Sequence, residues 1–209
     1  MRFLSVILAA PKDGDEGLLR EQYRSVTQLM PVMYAVIIVV TINLVAIFHA
    51  NTPAWLSFYL PGALSIVALL RAIQLLNARK SVDSLTIEKL VNRCRRLIVL
   101  GPLLSLGFSM IGVQLIGYGD ETQQTLAMML IWILAVISGF CTHAIPQAAV
   151  AIVLASTLPM SVAFAFSGNP VFSELVPVLN VVAGFVIYML LEAYKNFAKI
   201  VRATEARLL

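Results

Sequence analysis

Two histidines and two cysteines are the side chains of this 209-residue sequence best suited to holding a metal or a haem. His49 closes the first apolar run and His143 closes the fourth. If those runs cross a bilayer, about 30 Å of hydrocarbon separates the two imidazoles, so one metal or haem cannot join both within a chain. Cys141 and His143 stand two apart, which on a helix turns them away from each other. Two copies of His143 across a dimer axis could ligate a haem. The plainer reading makes each histidine an interfacial polar residue bonded to backbone or water. No phosphate loop, no paired carboxylates within the apolar runs and no nucleophile–base pair occurs, so neither catalytic residues nor a certain cofactor is expected. The acidic residues all fall in loops, ends or flanking helices, unlike those of a proton-coupled pump.

A second set suits ligand binding. Pro61, Pro159 and Pro177 each fall in the outer half of an apolar run, where each removes a backbone donor and can kink a helix. Asn43, Gln114 and Asn180 lie at middle to outer depth, with Tyr59, Tyr118 and Trp132 nearby. Kinked helices with convergent amides and aromatics can open a cavity toward the outside. Such a cavity would take a small periplasmic or lipid-derived ligand. The alternative is ordinary hydrogen bonding between helices, worth about 1 kcal/mol per contact. Gly101, Ser105, Ser109 and Gly112 form a stripe of small residues that suits close helix packing.

These positions depend on six membrane spans. The chain is 60% hydrophobic and 12% charged, whereas a soluble domain is about half apolar and a quarter charged. The fifteen Lys and Arg residues fall in three blocks. Arg2, Lys12, Arg20 and Arg24 precede the first run. Arg71, Arg79, Lys80, Lys89, Arg93, Arg95 and Arg96 lie between the second and third. Lys195, Lys199, Arg202 and Arg207 follow the last. The connections near Asn51, Asp120 and Asn169 carry none. An even number of spans with basic loops in the cytoplasm gives this pattern, with both termini cytoplasmic. The net charge of +4 therefore sets topology and meets anionic headgroups, and no nucleic acid is expected. Cys94 and Cys141 fall on the cytoplasmic side, where a structural disulfide is not expected.

Along the chain, Arg2 and the apolar stretch to Ala10 read as an uncleaved lead-in. Cleavage there would place every basic block on the wrong side. Leu19, Tyr23, Val26 and Met30 recur at helical spacing, predicting an amphipathic helix on the cytoplasmic membrane surface. Pro31 marks its junction with the first span, 32–48. The other spans are expected at 55–76, 97–116, 125–141, 148–166 and 175–191. Outer turns fall at Asn51-Thr52-Pro53, Gly117-Tyr118-Gly119-Asp120 and Ser167-Gly168-Asn169-Pro170. Asp83 can cap a helix in the cytoplasmic loop, with Ile87, Leu90, Cys94 and Leu97 on one face. The domain plan is a lead-in and amphipathic helix (1–30), a six-span domain (31–191) and a cytoplasmic helix (192–209).

Leu190, Tyr194, Phe197, Val201, Thr204 and Leu208 alternate at spacings of four and three, the period of a coiled-coil seam. That predicts a homodimer through the C-terminal helix and transmission of a signal along it. The alternative is one amphipathic helix lying on the membrane or on the cytoplasmic loop.

Five short stretches carry a family resemblance: Gln22-Tyr23-Arg24, Pro53-Ala54-Trp55-Leu56, Gly117-Tyr118-Gly119-Asp120, Ser167-Gly168-Asn169-Pro170-Val171-Phe172, and Tyr194-Lys195-Asn196-Phe197-Ala198. With them, residues 22–201 resemble the six-span N-terminal input region of bacterial membrane-bound diguanylate cyclases of the GGDEF type, some of which also carry an EAL phosphodiesterase domain. The resemblance implies a sensor in the bacterial inner membrane whose last helix continues into a cytoplasmic output domain that makes cyclic-di-GMP. The sequence holds no Gly-Gly-Asp-Glu-Phe motif, so that family's active-site residues have no positions here. The chain itself is then no enzyme. Either a catalytic domain follows Leu209 in a longer protein, or this is a free-standing input module.

The expectation is thus an all-α polytopic membrane protein that senses a small ligand or a membrane or redox state. A small-solute transporter or channel subunit and a haem-bearing redox bundle are the alternatives.

Overall fold

A computed structural model describes residues 16–79, 82–167 and 170–208. The lead-in, the Lys80–Ser81 step, Gly168-Asn169 and Leu209 lie outside the described residues. Six long helices account for nearly everything described, with no strand among them. They are α1 (Glu16–Phe48), α2 (Leu60–Arg79), α3 (Ile87–Ile116), α4 (Glu121–Cys141), α5 (Pro146–Ala165) and α6 (Pro170–Leu208). Each contains a segment long and apolar enough to cross a membrane.

The surface shows which solvent this architecture requires. Val39, Ile42, Ile66, Val99, Val162 and Val181 are all more than half exposed, Val181 to 73%. Apolar side chains so exposed around a whole bundle are unstable in water and at no disadvantage in hydrocarbon. The chain is an all-α, multi-pass membrane protein. At 1.5 Å per residue, the 21 residues of α4 reach about 32 Å, one hydrocarbon thickness.

α5 is apolar all round and sits innermost, against α3, α4 and α6. The small-residue stripe of α3 packs on it, as its spacing suggests. Ser109 Oγ donates to the Ser156 carbonyl at 2.7 Å, and Ser105 Oγ to the Ile152 carbonyl at 3.2 Å. Ser105 also bonds the Ser156 hydroxyl. Gly101 faces Ile152, and Gly112 faces Ile131 and Met160. With no hydrophobic force between helices in lipid, close backbone approach and such hydrogen bonds hold the pair. α4 closes the core between α1 and α5.

The turns follow local chemistry. Thr52 donates to the Phe48 carbonyl at the Asn51-Thr52-Pro53 turn. Trp55–Tyr59 then form one π-helical turn, ahead of Pro61, whose missing N–H removes the next α-helical bond. Trp55 and Tyr59 are exposed, as expected of aromatics at headgroup depth. Asp120 caps α4 in a capping box with Gln123, each side chain bonding the other's backbone N–H. Gln123 also donates to the Ile47 carbonyl and so ties this turn to the end of α1.

Two sequence expectations are corrected. Pro31 does not divide a surface helix from the first span, because α1 runs through it for 33 residues. Packed residues on both sides, Met30, Met33 and Tyr34, hold the helix through the lost bond. Nor does the amphipathic face lie on the membrane. Leu19, Tyr23, Val26 and Met30 are buried in one core with Val82, Leu90 and Cys94. The apolar stripe therefore meets protein rather than lipid headgroups.

α3 begins at Ile87, so the helix expected in the basic loop and the span expected at 97–116 form one continuous element. Its predicted face is as expected, with Leu90 and Cys94 fully buried. Thr86 occupies the cap position. The Asp83 side chain, expected to cap, lies outside the described residues.

Candidate functional site

At the Arg-rich end, α1, α3 and α6 all continue beyond bilayer thickness. They have 33, 30 and 39 residues, or about 50, 45 and 58 Å. These extensions interlock. Arg20 Nη1 donates to the Val82 carbonyl at 3.1 Å. A Cβ on Gly17 would overlap the Glu205 carboxylate, so the first turn of α1 meets the last turns of α6. A carboxylate there faces the positive end of the α1 dipole. Phe197 packs on the main core and meets the His143 ring edge-on, with centroids 6.0 Å apart.

The C-terminal seam is thus partly used within one chain. Leu190 is fully buried beside Ala149 and Val153, Tyr194, Phe197 and Val201 are half-buried, and Thr204 is exposed. The Thr204 hydroxyl bonds the Ile200 carbonyl of its own helix. The side chain of Leu208 lies outside the described residues. Leu190 and, in part, Phe197 thus pack against their own bundle.

Both histidines bond their own backbone. His49 Nδ1 lies 2.9 Å from the Ala46 carbonyl, and His143 Nδ1 lies 2.7 Å from the Phe140 carbonyl. Among the described residues, no three His, Cys, Asp or Glu side chains are grouped to hold a metal. Cys94 is buried, and burial pushes its thiol up to about 12.

In the outer-half set, the bonds of Asn43 and Asn180 are to backbone and to a neighbouring helix. Asn43 is exposed and donates to the Val39 carbonyl one turn back. Asn180 donates to the Val176 carbonyl and accepts from Ser161 at 3.3 Å, joining α5 to α6. Gln114, Tyr59 and Tyr118 are exposed. Trp132 is half-buried between α5 and α6, and its Nε1–H is buried without a hydrogen-bond partner. The Asn43 amide therefore bonds within its own helix, and the Asn180 amide also bridges two helices.

A cavity of about 510 Å³ opens near the Arg-rich end, where α2 and α3 diverge over α1. Tyr23 and Tyr34 of α1, Arg71 and Gln74 of α2, and Arg93 and Arg96 of α3 line it. Arg93 Nη1 donates to the Tyr23 hydroxyl at 3.1 Å, and its guanidinium lies 5.8 Å from the centre of that ring. Arg71 Nη1 donates to Gln74 Oε1 at 3.3 Å. In the sequence these arginines stand out only as topology signals. The i, i+3 spacing of Arg93 with Arg96, and of Arg71 with Gln74, was the available sign of a shared face.

No protein-family model, no curated protein and no solved structure matches the chain.

Proposed function

We propose that this chain is a signal-input domain, which passes a change in its membrane bundle through α6 to a cytoplasmic cyclic-di-GMP-making domain. The observation that carries this reading is the continuity of α6. It runs unbroken from Pro170 to Leu208 and touches the bundle through Leu190, Phe197 and Glu205. A shift of the sixth span then moves the whole extension. Two such arrangements need differ by only a few kcal/mol for a stimulus to select one. The stimulus is a small ligand or a membrane or redox state, and the resemblance to cyclase input regions supplies the output.

In this reading the protein sits in a bacterial inner membrane with its Arg-rich end in the cytoplasm. It pairs with a second copy through the exposed face of α6 that carries Ile200, 67% exposed, and not through the Leu190–Phe197 face.

The test is a protein in which a cyclase domain follows α6. Phe197→Ser with Val201→Ser should disconnect cyclase output from the membrane domain while both domains stay folded. Unchanged output and unchanged response in that variant would sink the proposal.

A further inference from the structure

We infer that the cleft between α2 and α3 is a binding site for a phosphate-bearing anion, with a lipid headgroup as the source its shape favours. This inference is independent of any signalling role.

Charge is the first observation. Arg71, Arg93 and Arg96 converge on one cavity, and among the described residues none of them pairs with a carboxylate. Other basic side chains do pair: Arg20 with Glu16, Arg24 with Glu21 and Lys195 with Glu192. Three guanidinium groups without an acidic partner repel one another, and an anion held between them relieves that repulsion. Guanidinium forks match phosphate oxygens.

Preorganisation is the second. Tyr23 is only 2% exposed, and its hydroxyl accepts from Arg93. That bond and the ring beneath hold the guanidinium in place at the cavity wall. Gln74 restrains Arg71 from the other side.

Position is the third. The cleft continues past its arginines to Leu97 and Gly101, and Gly101 lies about 12 Å along α3 from Arg93. Beside it, Leu76 of α2 and Val99 of α3 present apolar side chains outward, at 48% and 65% exposure. A charged mouth over an apolar floor, opening among lipid-facing residues, suits an amphiphile with an anionic head. Basic pockets between spans at this depth take such headgroups. The cavity also falls in the size range of small-molecule sites, about 300–1,000 Å³.

Native mass spectrometry of the full chain, released from vesicles of phosphatidylcholine and phosphatidylglycerol in equal parts, tests this directly. Phosphatidylglycerol should remain bound in preference to phosphatidylcholine. The preference should fall about fivefold for each arginine charge removed. Arg71→Gln, Arg93→Gln and Arg96→Gln together should abolish it, while Arg79→Gln and Arg95→Gln, outside the cleft, should not. Arg96 is exposed, so Arg96→Gln alone gives a readable result if the triple variant fails to fold. Added inorganic phosphate or glycerol phosphate separates the sources. No displacement assigns the site to lipid, and displacement with thermal stabilisation assigns it to a soluble phosphate. Equal retention of the two lipids with no phosphate effect overturns the inference, as does a preference that survives loss of the cleft arginines.

Discussion

The Phe197 ring stands edge-on to the His143 imidazole, at 6.0 Å between centroids and 85° between planes. One residue belongs to the extension of α6, and the other to the tight turn between α4 and α5. The contact therefore ties the last helix to the hairpin that forms the centre of the bundle. Edge-to-face pairs of this kind are worth about 0.5–1.5 kcal/mol beyond the area they bury. A double-mutant cycle with Phe197→Leu and His143→Ala, read as thermal stability in detergent, should return a coupling of about that size. Strict additivity would mean that the two rings are merely neighbours.

Gly139 of α4 sits between α5 and α6. A Cβ there would lie 3.0 Å from Val153 Cγ2 on one side and 3.0 Å from Leu190 Cδ1 on the other. Gly139→Val should therefore destabilise the bundle by about 1–3 kcal/mol, the usual range for overpacking. Gly62, with open space around its Cα, is the matched control, and Gly62→Ala should leave the melting temperature nearly unchanged.

Cys94 should resist alkylation. It is 1% exposed, and its thiol is pushed up to about 12 from 9.0 by burial. In a Cys141→Ser background, maleimide at neutral pH should label the chain only after denaturation. The linkage has a definite sign. Between about pH 9 and pH 12 the unfolded thiol loses its proton while the folded one keeps it. The Cys94 contribution to stability is thus intact below pH 9 and falls as pH rises through that window. Cys94→Ala should flatten that part of the profile.

Removing the cap of α4 should act locally. Asp120→Ala loses the bond to the Gln123 backbone, at a cost of about 1 kcal/mol. Since Gln123 also holds the Ile47 carbonyl, hydrogen exchange should rise at the end of α1 as well as in the first turn of α4. A rise confined to α4 would show that the Gln123 bridge does not depend on the cap.

Topology can be checked with a membrane-impermeant thiol reagent. In a cysteine-free background, single cysteines at Lys89 and Arg202 should label from the same side, and one at Asn51 from the other. Labelling of Lys89 and Arg202 from opposite sides would contradict the positive-inside arrangement.

The spans were legible because hydropathy and charge act over whole segments. Runs of about twenty apolar residues need no partner to be recognised, and the basic blocks order them. The stripe from Gly101 to Gly112 was legible for a similar reason, since small residues at helical spacing have few other uses. What sequence could not give is which surface an amphipathic face meets. Leu19, Tyr23, Val26 and Met30 have the spacing of a helix on lipid, and equally that of a helix on another helix. The outcome depends on Leu90 and Cys94, some sixty residues further on. The arginine cleft was hidden similarly. Arg71 and Arg93 come together only because α2 and α3 diverge over Tyr23, and nothing local to either residue records that.

Three helices, each longer than a hydrocarbon core is thick, continue to the Arg-rich end without an intervening loop. A membrane that becomes thicker or thinner finds no slack there to take up the mismatch. The long helices must lean instead, and because Gly17 and Glu205 lie against each other near the tips of two of them, a small change of angle in the lipid becomes a sideways displacement of both tips. The bundle is in effect a lever with one arm in the bilayer and the other beyond it.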